Sequence, residues 1–148
     1  MGSRVARRVL DPSLCGGSPG YSLTGLASRS KYTFVDFWAS WCGPCRAEMP
    51  NSKKLEEIYV KKGINFIYIS TDKRIEAWKK ASRQIGLSQN QSFYLVNGDE
   101  SKLSKKYKIA TIPRYMLIDE KGQFINQNAP RPSDPKIRQI FDELLKKK

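Results

Sequence analysis

Histidine is absent from this 148-residue chain, and cysteine occurs only three times. A closed structural zinc site uses four Cys or His ligands, and a four-cysteine iron–sulfur cluster needs one thiolate more than the chain contains. Both kinds of intrachain metal site are therefore excluded. A histidine-based catalytic triad is excluded as well. Redox chemistry of the cysteines themselves remains, and it requires no metal or other cofactor.

Acidic residues are also scarce, since 27 lysines and arginines face 14 acids and leave a formal net charge of +13. Such a balance is typical of proteins with an acidic partner, such as nucleic acid or an anionic membrane surface. Here the basic residues are scattered in short groups, without interleaved aromatics or a groove-reading motif. We therefore predict a solvated basic surface that biases which protein substrates approach, and no nucleic-acid partner.

Long apolar runs are missing, and none reaches the length of a membrane-spanning helix. Residues 1–20 are basic and rich in turn formers, without the apolar stretch of a signal peptide. The sequence predicts a flexible basic tail over residues 1–20 and a single domain over residues 21–148. Cys15 lies in this tail, where we expect an exposed, non-essential thiol. Lipid attachment and a regulatory disulfide are the alternatives.

The pattern of apolar residues predicts alternating strands and helices. Strands are predicted at 33–38, 64–70, 93–96, 114–119 and 123–126. Helices are predicted at 47–62, 73–85 and 102–107, and from Ser133-Asp134-Pro135 to the C-terminus. This order indicates an α/β domain with a central mixed sheet that is covered by helices on both faces.

Two cysteines, Cys42 and Cys45, stand where a predicted strand passes into a helix. Free N–H groups and the helix dipole at that position stabilise a thiolate, which makes Cys42 the predicted nucleophile toward a substrate disulfide. Cys45, one turn further into the helix, would then attack Cys42 and release the reduced substrate. Gly43 permits a close approach of the substrate, and Pro44 fits the first helical turn. Two structural cysteines that happen to be close are the alternative.

The residues around this pair resemble the thioredoxin family. The segment Asp36-Phe37-Trp38-Ala39-Ser40-Trp41-Cys42-Gly43-Pro44-Cys45 is similar to the thioredoxin signature almost residue by residue. Pro50 matches the proline of the active-site helix, and Ile112-Pro113 matches the cis-proline of the family. The resemblance covers roughly residues 30–145 and implies a thioredoxin fold.

Within that family the chain is more similar to the ResA/TlpA type of thiol–disulfide oxidoreductase than to minimal thioredoxin. The similarity rests on Arg46-Ala47-Glu48-Met49-Pro50 and on the strand and turn at 115–122. A surplus segment between Asp72 and Pro113 resembles the helix and strand that this type inserts before the cis-proline. Residues 21–24 resemble the start of its N-terminal hairpin, here shortened.

The resemblance also implies roles for individual residues. Asp36 corresponds to the buried acid that exchanges a proton with Cys45 through water; an acid satisfied by backbone donors is the alternative. The implied substrate-binding residues are Trp41, Gly43, Pro44, Ile112, Pro113 and Arg114. Arg114 departs from the family, in which a small polar residue is usual, and its charge favours acidic substrates or a lower pKa of Cys42. The strand at 64–70 lacks the lysine that thioredoxins pair with the acid.

These features together predict a thiol–disulfide oxidoreductase that mainly reduces protein disulfides. A peroxidase of the same fold and a non-catalytic binding module are the alternatives. The expected partners are disulfide-containing proteins and an upstream dithiol electron donor, which in the ResA/TlpA type is often membrane-bound, and we expect a monomer. Because Met1-Gly2-Ser3 resembles a cloning remnant, we favour an excised periplasmic domain. A cytoplasmic protein is the alternative.

Overall fold

The computed structural model describes residues 8–9 and 22–147 of the chain. The strands are β1 (Arg8–Val9), β2 (Tyr32–Trp38), β3 (Ile64–Ser70), β4 (Ser92–Leu95), β5 (Arg114–Asp119) and β6 (Phe124–Asn126). The helices are α1 (Leu23–Ala27), α2 (Gly43–Tyr59), α3 (Ile75–Ile85), α4 (Lys102–Lys106) and α5 (Pro135–Lys146). Two short 3₁₀ turns lie at Val60–Lys62 and Gly98–Glu100.

The strands form one mixed sheet in the order β1-β4-β3-β2-β5-β6. β2, β3 and β4 run parallel, as do β1 and β4, whereas β5 pairs antiparallel with β2 and β6 antiparallel with β5. Parallel neighbours need a crossover connection, and α2 and α3 supply it between β2, β3 and β4. The predicted mixed sheet is confirmed, as is an inserted helix and strand, α3 and β4, before the cis-proline.

Each face of the sheet carries its own hydrophobic cluster. Alternate residues of β2 point to opposite faces, so that Phe34 and Trp38 join one cluster while Val35 joins the other. Side chains of α2, α3 and α5 cover the first face, and those of α1 and α4 cover the second. The predicted covering of both faces by helices is confirmed.

Helix α5 has the ends and the buried face that its sequence predicts. The Asp134 carboxylate accepts a hydrogen bond from the Lys136 N–H at 3.0 Å, and Pro135 occupies the first turn. Ile137, Phe141 and Leu144 are buried against the sheet. None of the helices in the described part of the chain is long and apolar enough to cross a membrane.

The N-terminal region differs from its prediction. The shortened hairpin expected from residue 21 onward is wrong for residues 22–27, because they form α1 and its cap. The Ser22 hydroxyl accepts from the Gly25 N–H at 3.0 Å, and buried Leu23, Leu26 and Ala27 share one helical face. Arg8–Val9 pairs with β4. The rest of the predicted tail, including Cys15, lies outside the described residues, and its flexibility stays a prediction.

Candidate active site

The two cysteines form a disulfide at the N-terminus of α2, with an S–S distance of 2.11 Å. Cys42 is the N-cap residue, and its Sγ accepts a hydrogen bond from the Cys45 N–H at 3.2 Å. Pro44 lies in the first turn, where no N–H is needed. The helix therefore begins at Gly43, several residues before the predicted start. The same N–H and the helix dipole stabilise a Cys42 thiolate when the disulfide is open.

Exposure differs sharply along this segment. Trp41 is 73% exposed, Cys42 is 3% exposed and Cys45 is fully buried. A Cβ added at Gly43 would meet nothing within 4 Å, so the space beside the first residue of α2 is open. An incoming sulfur atom can therefore reach Cys42 more readily than Cys45, in the order that the sequence predicts.

Asp36 lies on the sheet face that α2 covers, between Phe34 and Trp38 along β2. Its carboxylate is 1% exposed, and neither of its oxygens has a hydrogen-bond partner among the described residues. Burial raises the pKa of Asp36 well above its usual value of 3.8, and the charge of Glu48 raises it further. Backbone donors therefore do not satisfy this acid in the described structure, contrary to the alternative interpretation.

Tyrosines flank Asp36 on both neighbouring strands, with Tyr68 in register on β3 and Tyr115 on β5. The Tyr68 hydroxyl donates to Glu56 Oε1 at 2.5 Å, and burial, followed by the Glu56 charge, raises the pKa of Tyr68. Tyr68 lies at the β3 position opposite the acid and brings no positive charge to it. A neutral phenol, and no lysine, therefore faces Asp36 from β3.

Glu48 is a residue of this site that the sequence prediction did not assign. It is 8% exposed, and its carboxylate accepts from the Ser133 N–H at 3.0 Å, from Ser133 Oγ at 2.7 Å and from Asn51 Nδ2 at 3.4 Å. Glu48 lies one turn after Cys45 on α2, which directs it toward the same buried region as Asp36. Glu48 belongs to the segment 46–50 that carries the resemblance to the ResA/TlpA type. This segment was the one sign in the sequence that could have pointed to a role for Glu48 in the site.

These carboxylates do not form a metal site. In the part of the chain that the structure describes, no group of three or more His, Cys, Asp or Glu side chains is arranged to hold a metal ion. Glu48 and Glu56 instead accept hydrogen bonds from serine, tyrosine and amide groups.

The peptide bond between Ile112 and Pro113 is cis, as predicted. A groove of about 670 Å³ lies beside the disulfide, and we call it the Trp41 groove. Trp41 and Ile112 line it together with the exposed cations Lys73 and Arg74 and the exposed acid Asp99. The structure thus brings two of the predicted substrate-binding residues, 41 and 112, to one concave surface.

Arg114 takes a different position from the one expected of a substrate-binding cation. Its Nε donates to the Gln127 carbonyl at 2.9 Å, and its Nη1 donates to the Lys108 carbonyl at 3.0 Å. The side chain is half-buried and ties the loop before the cis-proline to the segment after β6. Its role in substrate binding stays a prediction.

Asp72 was also missed by the sequence prediction, although it adjoins the disulfide loop. It is 2% exposed, lines the Trp41 groove and accepts hydrogen bonds from Ser40. Parallel β2 and β3 end at the same sheet edge, which places Asp72 opposite a residue 32 positions earlier. No local pattern in the sequence reports such a contact.

The sequence profile of the Thioredoxin-like family matches residues 30–124. The chain belongs to the thioredoxin-like family. Among curated proteins it is 30% identical over 114 residues to the thiol-disulfide oxidoreductase ResA of Geobacillus kaustophilus, covering 72% of this chain and 63% of that protein. The predicted ResA-type resemblance is confirmed, and the chain spans less than two thirds of the length of this relative.

Solved structures agree with this family assignment. A candidate thiol-disulfide oxidoreductase from Bacteroides vulgatus, determined in solution, is 41% identical with a TM-score of 0.70, covering 78% of this chain and 74% of its own. The thioredoxin domain of another thiol-disulfide oxidoreductase from Bacteroides vulgatus is 27% identical with a TM-score of 0.70, covering 83% and 84% respectively. The thioredoxin-like fold predicted from the sequence is confirmed.

Proposed function

We propose that this protein is a thiol–disulfide oxidoreductase that reduces disulfide bonds of other proteins. The observation that carries the proposal is the position of the pair: Cys42 caps α2 directly after the exposed Trp41, and Cys45 is fully buried one turn further along the helix. The names of the relatives support the same activity. They do not favour a peroxidase or a non-catalytic binding module.

The first step is attack of the Cys42 thiolate on one sulfur atom of a substrate disulfide. A bond forms between Cys42 Sγ and that sulfur, the substrate S–S bond breaks, and the other substrate sulfur leaves as a thiolate. The N–H of Cys45 and the dipole of α2 stabilise the attacking thiolate.

The second step resolves the mixed disulfide. Cys45 attacks Cys42 Sγ, the Cys42–Cys45 bond forms, the bond between Cys42 Sγ and the substrate sulfur breaks, and that sulfur leaves as a thiolate. Cys45 must lose its proton for this attack, and we assign ionised Asp36 as the group that accepts it. The two electrons delivered to the substrate come from the Cys42–Cys45 dithiol, and an external dithiol restores it. No further cofactor takes part.

The surface that receives the substrate consists of Trp41, Gly43, Pro44, Ile112, Pro113 and Arg114. Trp41 and Ile112 offer apolar contacts in the Trp41 groove, and the backbone before the cis-proline pairs with the incoming chain. Lys73 and Arg74 lie in the same groove and attract carboxylates near the substrate disulfide.

The relationship to ResA supports a proposal about the compartment in which the protein works. We assign the protein to an extracytoplasmic, periplasmic compartment, with a membrane-bound dithiol protein as its electron donor and with the chain acting as a monomer. The ResA-type relatives support this assignment. Reduction of the oxidised protein by candidate dithiol donors of each compartment, monitored by the redox state of the Cys42–Cys45 pair, tests it.

Insulin reduction with a dithiol donor tests the proposed activity. The unaltered protein should precipitate the insulin B chain, Cys42→Ser should abolish this turnover, and Cys45→Ser should accumulate a mixed disulfide that a gel without reductant detects. Turnover of hydroperoxide without insulin reduction would instead establish a peroxidase. Insulin reduction that persists in Cys42→Ser would contradict the mechanism.

A further inference from the structure

The loop that carries Trp41 is a tight turn between β2 and α2. The Cys42 N–H donates to the Ala39 carbonyl at 3.1 Å, so Ser40 and Trp41 occupy the two central positions of this turn. The indole of Trp41 projects into solvent with 73% of its surface exposed. Its own side chain has little packing to hold it, so its orientation depends on the backbone of the turn.

Every polar group of Ser40 is held from outside the turn. Its N–H donates to both oxygens of Asp72, at 3.2 and 3.0 Å, and its hydroxyl donates to Asp72 Oδ1 at 2.6 Å. Its carbonyl accepts from Arg46 Nη1 at 3.2 Å, and Arg46 Nη2 donates to Gln84 Oε1 at 3.2 Å. Three of these four hydrogen bonds to Ser40 involve Asp72, so Asp72 is the principal support.

Asp72 is itself held rigidly. Its Oδ2 accepts from the Ser70 hydroxyl at 2.6 Å, and its N–H donates to the same hydroxyl oxygen at 3.0 Å. Beside it, the Thr71 N–H donates to the Trp38 carbonyl at 2.8 Å, which extends the pairing of β2 and β3 up to the turn. The carboxylate is 2% exposed. The end of β3 therefore forms a fixed base under Ser40.

We propose that Asp72 is a positioning residue for the binding of protein substrates. Acting through Ser40, it fixes the turn so that the Trp41 indole stands ready beside Cys42 to contact the polypeptide around a substrate disulfide. This inference rests on the proposed reductase function and adds a determinant of its specificity.

The physical reason is preorganisation. A free turn would have to be ordered when the substrate binds, and ordering a side chain such as Trp41 costs part of the binding free energy. A small aromatic disulfide needs access to Cys42 but makes little contact with Trp41. Loss of the Asp72 support should therefore affect protein disulfides far more than small ones.

Rates of the reduced protein with two oxidised substrates, insulin and 5,5′-dithiobis(2-nitrobenzoic acid), test the proposal. For Asp72→Asn we expect the second-order rate constant with insulin to fall about tenfold, which corresponds to about 1.4 kcal/mol. The rate constant with the small disulfide should stay within about twofold of that of the unaltered protein. Ser40→Ala removes only the 2.6 Å bond and should lower the insulin rate by a smaller factor, about threefold.

Ser82→Ala is the matched control, because it removes a buried 2.7 Å hydroxyl bond to Ser92 away from the turn. Both of its rate constants should stay within about twofold. The equilibrium constant of the Cys42–Cys45 pair with glutathione should be unchanged in all variants, since neither sulfur atom is touched.

Equal losses with both substrates, or no loss with either, would overturn the assignment of Asp72. If Asp72→Asn does not fold, Ser40→Ala decides the question alone by the ratio of its two rate constants. Failure of the unaltered protein to reduce either substrate would instead contradict the proposed function, so the two failures are distinguishable.

Discussion

Asp36 is a carboxyl group buried without a hydrogen-bond partner among the described residues or a countercharge on the strand positions beside it. Such a group is costly to a fold when ionised, because burial removes its hydration. Tyr68 and Tyr115, its neighbours across the sheet, remain neutral phenols, since burial raises the pKa of both. Asp36 thus keeps its proton to higher pH than an exposed aspartate. A group that exchanges a proton with a thiol needs such a raised pKa.

This raised pKa predicts a pH-dependent gain in stability for Asp36→Asn. The unfolded chain releases the Asp36 proton near 3.8, whereas the folded protein holds it to higher pH. Between those two values the unfolded state binds fewer protons, so the free energy of unfolding falls as pH rises. Above the folded pKa we expect the oxidised variant to be more stable by about 1–3 kcal/mol, a gain that disappears as pH falls toward 3.8.

Urea denaturation of both oxidised proteins across this pH range measures the effect. A difference in stability that stays constant with pH would contradict it. The same variant should resolve the mixed disulfide about a hundredfold more slowly in stopped-flow measurements, the usual loss when a catalytic base is removed.

Glu48 adds a second prediction about the same acid. Its charge raises the pKa of Asp36, so Glu48→Gln, which removes that charge, should lower the pKa of Asp36. The acidic limb of the pH–rate profile for resolution of the mixed disulfide should then shift to lower pH. Glutamine can keep hydrogen bonds to Ser133, so the fold should be retained. Glu57→Gln, an exposed change on the same helix, is the control and should leave the profile in place.

At the level of elements, the sequence predicted the order of strands and helices from β2 to α5 correctly but placed several boundaries imperfectly. α5 could be predicted because its cap and its apolar face are local features of 12 residues. α1 could not, because five residues are too short for a periodic pattern and its burial depends on the second sheet face. The contact of Asp72 with Ser40 escaped prediction for a similar reason, since only the pairing of β2 with β3 creates it.

The turn after β4 provides a prediction about packing between elements. Gly98 has φ +45°, and a Cβ there would lie 2.6 Å from the Thr71 carbonyl oxygen at the end of β3. Gly98→Ala should therefore destabilise the protein by about 2–4 kcal/mol, through backbone strain and overpacking.

Gly43→Ala is the natural comparison for this change, because its Cβ would meet nothing within 4 Å. We expect its stability to stay within about 0.5–1 kcal/mol of that of the unaltered protein. Thermal unfolding of both variants in the oxidised form gives the two values. Equal destabilisation by both would show that the contact with Thr71 is not the cause.

At the level of the whole molecule, the net charge of +13 is spread over the surface, yet two of its cations lie beside the disulfide. Lys73 and Arg74 are exposed in the Trp41 groove, where they act on an approaching substrate at short range. Screening by salt weakens such attraction, and its main effect is on the association rate.

A charge reversal at these two positions separates local from overall electrostatics. Lys73→Glu with Arg74→Glu should slow reduction of an acidic protein disulfide about tenfold at low salt, and less at 0.5 M salt. Lys54→Glu with Lys61→Glu changes the net charge equally, in the second half of α2 and in the 3₁₀ turn after it, and should have a smaller effect. Equal effects of the two pairs would attribute the rate to net charge alone.

The exposure of Trp41 has an optical consequence. The chain contains three tryptophans, and Trp38 and Trp78 are 0% and 6% exposed, against 73% for Trp41. A water-soluble quencher such as acrylamide should therefore suppress mainly the emission of Trp41. Trp41 immediately precedes Cys42 in the chain and lines the Trp41 groove, so a bound polypeptide should shield its indole from that quencher. Fluorescence of the unlabelled protein can thus report occupancy of the site directly.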